Sequence, residues 1–146
     1  MNKERKTLKE YSVVILIFAA FSLARIIVEA CLYGFGIQAI SLEGVSEDLV
    51  KIGLIVFFIS SLILLIPNAY VGVKGIKEAE SPTSARAHIV WALILAILSL
   101  VGTITAIVDI INGFSIDQLF ILLDVAVDTV LFYAYYLTAK KVAENK

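Results

Sequence analysis

The sequence predicts an all-α protein: a four-helix transmembrane bundle in a single domain, with its N- and C-termini in the cytoplasm. Three observations predict it. First, 60% of the 146 residues are hydrophobic, where a soluble globular chain has roughly 45–50%. Second, the apolar residues gather into four runs, about 11–34, 50–71, 87–111 and 117–138. Each matches the roughly 20 residues that a helix needs to cross a bilayer. Third, of the 12 Lys and Arg, ten lie in the N-terminal tail, the segment between the second and third runs, and the C-terminal tail. Arg25, inside a run, and Lys51, at the outer edge of the second, are the exceptions. Basic residues mark cytoplasmic segments, so this bias places both termini and the central segment on the cytoplasmic side of the cell membrane.

The same composition removes other classes. A net charge of −1 gives no basic patch for nucleic acid. A single cysteine, Cys31, allows neither an intrachain disulfide nor a cysteine metal site. No motif implies a cofactor.

Each element follows in order. Met1 to Glu10 reads as a charged cytoplasmic tail able to form helix. The first span holds Arg25 and Glu29, four apart and so on one helical face, with Ser22 a turn before them. Cys31 reads as a buried apolar thiol. Phe35 to Leu49 reads as an external loop broken by Gly36 and Gly44, with a short interfacial segment around Ile37 to Leu42. Ser46 is placed to cap the second span, with Glu47 and Asp48 in its first turn. That span has Ser60 and Ser61 at its centre and Pro67-Asn68 near its inner end, where a proline should kink the last turns.

Gly72 to His88 reads as a central polar loop, with a turn and helix start at Ser81-Pro82-Thr83-Ser84. The third span carries small residues, Ala92, Ala96, Ser99, Gly102 and Ala106, suited to close helix contact. Asn112 to Ser115 forms a tight turn. The fourth span ends on Tyr133, Tyr135 and Tyr136, read as an aromatic belt, before the basic tail of Lys140, Lys141 and Lys146.

The candidate site is a set of intramembrane polar residues. Asp124 and Asp128 fall in the middle of the fourth span, one turn apart. A carboxylate at that depth costs roughly 2.5–3.5 kcal/mol, so this face should avoid lipid. Counting about 1.5 Å per residue from the span midpoints puts Arg25 and Asp124 level, about 4–5 Å outward of the membrane centre. Asp128 comes out near the centre, Glu29 about 10 Å outward, and Thr103 near the level of Arg25. The expected pairing is Arg25 with Asp124, since a guanidinium takes a carboxylate in a fork and keeps donors for Asp128 or Glu29.

Two functions fit. The leading one is a non-enzymatic integral membrane protein of structural, interaction or ligand-binding type, its polar core binding a cation or small polar ligand, its partners the bilayer and a second copy or another membrane protein. The alternative is a small proton- or cation-coupled transporter or channel subunit acting as a homo-oligomer, because one arginine among three carboxylates leaves acid for a proton or cation. No nucleotide loop, Ser-His pair or HExxH points to an enzyme, and no metal-ligand set is evident.

Four spans with both ends cytoplasmic resemble the layout of MARVEL-domain and tetraspanin proteins. The outer loop, Phe35 to Leu49, lacks the cysteine motifs of tetraspanins. Topology alone carries the likeness, so it implies the four-span fold and no residue roles.

Overall fold

The computed structural model describes residues 1–36, 41–83 and 85–145. Among these the chain is all-helical: α1 (Lys3–Gly34), α2 (Glu47–Glu80), α3 (Ala87–Asn112) and α4 (Ile116–Glu144). All four helices are long and apolar enough to cross a membrane. Even α3, with 26 residues, rises about 39 Å, more than the hydrocarbon core of a bilayer.

The helix starts are written locally. Asn2 caps α1 through Oδ1, which accepts from Arg5 N at 2.9 Å. Ser46 Oγ accepts from Leu49 N at 3.4 Å at the start of α2, with Glu47 and Asp48 in the first turn, where acids suit the helix dipole. Ser115 and Gln118 close a reciprocal capping box on α4, at 3.2 Å and 3.0 Å. Residues 113–115 alone separate α3 from α4.

The expected end of α2 changes. α2 does not stop where its apolar run stops but continues through Gly72 to Glu80. The segment read as a central loop is therefore mostly helix, and the connection shrinks to residues 81–86. Hydropathy marks where lipid ends, not where the helix ends. The extension is amphipathic, burying Val71, Gly72, Gly75, Glu78 and Ala79 on one face. Pro67 lies inside α2, which continues past it. The interfacial segment expected at Ile37 to Leu42 lies largely outside the described residues, as do Ser84 and Lys146.

The chain divides into two compact units, residues 1–16 with 67–146, and residues 17–66. In the second unit Ile26 is the one described residue that is buried. The Tyr33 and Phe58 rings lie 6.0 Å apart, and Ser61 Oγ donates back to Phe57 O at 2.8 Å. Cys31, expected to be buried, is exposed, since this stretch of α1 buries so little of its surface.

The first unit holds the core. Leu8, Ser12 and Ile15 recur at helical spacing on α1 and meet Val71 and Ala79 of α2, Ala92 and Ala96 of α3, and Phe132, Tyr135 and Ala139 of α4. The small residues of α3 pack as their pattern predicts. Ala92, Ala96 and Ala106 are buried, and a Cβ on Gly102 would touch Val125 of α4 at 3.5 Å.

Candidate functional site

The sequence-predicted residues fall into both units. Arg25 and Glu29 belong to residues 17–66, while Thr103, Asp124 and Asp128 belong to the other unit. Arg25 and Asp124 are exposed, and Glu29 and Asp128 are half-buried. None of Arg25, Asp124 and Asp128 stands without a partner. Thr103 turns toward α4: its hydroxyl donates to Ser99 O at 2.8 Å and lies 3.2 Å from the Thr129 hydroxyl. Thr129 in turn donates to Val125 O at 2.8 Å. A threonine pair thus ties α3 to α4 one residue from Asp128.

A second polar cluster, which the sequence reading missed, lies in the core of the first unit. Tyr135 is fully buried, not part of an aromatic belt. It shares its face with Leu131, Phe132, Ala139 and Val142, whereas Tyr133 is exposed and Tyr136 half-buried. Tyr133 and Tyr136 stack with ring centroids 6.3 Å apart. The Tyr135 hydroxyl donates to Val71 O at 3.1 Å and lies 2.7 Å from His88 Nδ1. A phenol has one proton. With that proton on Val71 O, His88 must donate from Nδ1, which sets its tautomer. His88 is only 2% exposed, so α2, α3 and α4 are joined through two buried polar side chains.

Two glycines make room for this arrangement. A Cβ on Gly75 would fall 2.1 Å from Ser12 Oγ and 2.6 Å from the Tyr135 ring and hydroxyl. A Cβ on Gly72 would fall 2.6 Å from Leu16 Cγ. Ser12 satisfies its own hydroxyl by donating to Leu8 O at 2.7 Å. Gly72 and Gly75, three apart beyond the apolar run, were the signal in the sequence for a close helix approach.

Charged groups fasten the end of this unit. Arg5 Nε donates to Ala79 O at 2.6 Å and its Nη2 to Glu80 O, which serves two of the carbonyls a helix end leaves without partners. Lys9 Nζ lies 2.7 Å from Glu80 Oε1, and this hydrogen-bonded ammonium holds the Glu80 carboxyl below its ordinary pKa. Buried Glu78 accepts from Thr83 N at 2.6 Å and from the Thr83 hydroxyl, tying Thr83 back onto α2. Asn68 Oδ1 is buried without a hydrogen-bond partner. Among the described residues no three His, Cys, Asp or Glu side chains gather to hold a metal ion.

The sequence matches no known family, no curated protein and no solved structure. The functional reading therefore rests on the chemistry of the residues themselves.

Proposed function

We propose that the chain is a multi-pass protein of the cell membrane, with both termini and the 81–86 connection in the cytoplasm, that acts by association and ligand binding rather than by catalysis. The observation that supports this is Asp124, exposed halfway along a membrane-length helix and one turn from Asp128. A charged face at that depth is costly toward lipid. A second copy of the chain, another membrane protein or a bound polar ligand covers it.

The test is native mass spectrometry of the full chain released from mild detergent, after carbonate washing of membranes. The expected result is a chain that stays with the membrane and runs as a dimer or larger, with Asp124→Asn shifting it toward monomer. A washed-out chain, or a monomer indifferent to Asp124→Asn, overturns the reading. The transport alternative has support in the half-buried Asp128 carboxyl beside Asp124. It requires proton or cation flux in liposomes that Asp128→Asn abolishes without unfolding the protein.

A further inference from the structure

A cavity of about 230 Å³ opens between the start of α3 and the end of α4. One end is walled by Ile89, Leu93 and Tyr136, and the other carries Arg86, Lys140 and Glu144. The helices are antiparallel, so the groove has a direction. From Arg86 to Leu93 is about 10 Å along α3, and from Glu144 back to Tyr136 about 12 Å along α4. Charge therefore sits at the end away from the span and aliphatic and aromatic surface at the end within it. Val90, exposed between them, continues the apolar wall.

We infer that this groove holds one anionic phospholipid of the cytoplasmic leaflet, its phosphate between Arg86 and Lys140 and the start of one acyl chain against Leu93 and Tyr136. The inference rests on the membrane reading and orientation given above. Three observations select this occupant. The gradient from cation to hydrocarbon over about 10 Å is that of a phospholipid from headgroup to chain. Arg86 and Lys140 are both exposed and so able to meet a phosphate without leaving buried partners. The groove opens at the level where basic residues between spans recognise acidic headgroups. Glu144 opposes the anion, but it lies 4.0 Å from Lys140 Nζ, a contact weak enough for a phosphate to displace. A free soluble anion would use the cations and gain nothing from Ile89, Leu93 and Tyr136.

The test uses the full chain purified in a nonionic detergent, titrated separately with dioleoyl phosphatidylglycerol, dioleoyl phosphatidylcholine and inorganic phosphate. Bound lipid is counted by native mass spectrometry, and melting temperature is followed in parallel. The expected result is one phosphatidylglycerol held more tightly than phosphatidylcholine, with a rise in melting temperature that phosphate does not reproduce. Two cations at about fivefold each make R86Q/K140Q roughly twenty-fivefold weaker for phosphatidylglycerol, with an unchanged melting temperature in the absence of lipid. E144Q should bind more tightly. K3Q/K6Q, which removes two exposed cations from α1 outside the groove, should bind as the parent does. Equal binding of the two lipids overturns the inference, as does equal loss in K3Q/K6Q, which would mean diffuse charge attraction. A stabilisation that inorganic phosphate matches points to a soluble anion and overturns it as well. A chain that carbonate removes from membranes fails the parent reading instead, so the two failures are distinguishable.

Discussion

At the scale of single residues, the sharpest constraint is the space above Gly75. Its missing side chain is filled by Ser12 and Tyr135, both buried. Gly75→Ala should cost about 1–3 kcal/mol through overpacking, read as a lower melting temperature in detergent. Gly102→Ala should be near neutral, because its Cβ meets Val125 at an ordinary 3.5 Å. The reverse ranking would show that the α1–α2–α4 contact at Gly75 is not the tight one. Tyr135→Phe leaves His88 Nδ1 buried without its partner, a loss of about 1–3 kcal/mol. His88→Phe together with Tyr135→Phe should cost less than the sum of the two single changes if the rings are coupled. Arg25 and Asp124 make a second pair to test. If they meet, Arg25→Leu and Asp124→Leu should each lower the melting temperature more than the double replacement does. Strict additivity in that cycle removes the pairing expected from their depth.

At the scale of helices, the contact between α3 and α4 depends on small residues. Gly102→Leu, unlike Gly102→Ala, extends past Cβ into Val125 and separates the Thr103–Thr129 hydroxyls, 3.2 Å apart. It should lower the melting temperature by several degrees more than Gly102→Ala, and an equal effect would mean that α4 gives way at no cost. This face of α3 was legible in the sequence because small residues at helical spacing have few other uses in a span. So were the four spans, which follow from hydropathy alone, and the Ser46 cap. The end of α2 was not legible. Its amphipathic extension is short, glycine-bearing and charged, a pattern shared by loops, and only packing against Leu8 and Ser12 distinguishes the two. Tyr135 was misread for a related reason. Three tyrosines within four residues of a span end look like an interfacial belt, and one residue of helical rotation decides which of them turns inward. The carboxylates inside the apolar runs could be found by their cost, but composition does not say what covers them.

At the scale of the whole chain, the groove between Arg86 and Lys140 and the buried His88–Tyr135 pair lie in the unit that contains both termini. Single-cysteine labelling in a Cys31→Ser background tests how that unit faces the membrane. Ser81 and Ser46 are both exposed. A Cys at Ser81 should react only from the cytoplasmic side and one at Ser46 only from outside. The opposite pattern would reverse the orientation and move the phospholipid groove to the other leaflet.

The bonds that close this unit also have a history in time. Arg5 reaches a carbonyl 74 residues away, and Tyr135 reaches one 64 residues back. A ribosome adding about 5–20 residues each second needs roughly 4–15 s to make the first of those partners. α1 therefore stays a solitary helix, with Leu8 and Ser12 bare, until α2 is complete. The core is not sealed until Tyr135 has been translated, almost the last turns of the chain. Nascent molecules stalled before α4 should be the ones that membrane chaperones and proteases recognise. A chain ending at Asn112 should leave a Ser12→Cys thiol open to maleimide that the finished protein protects.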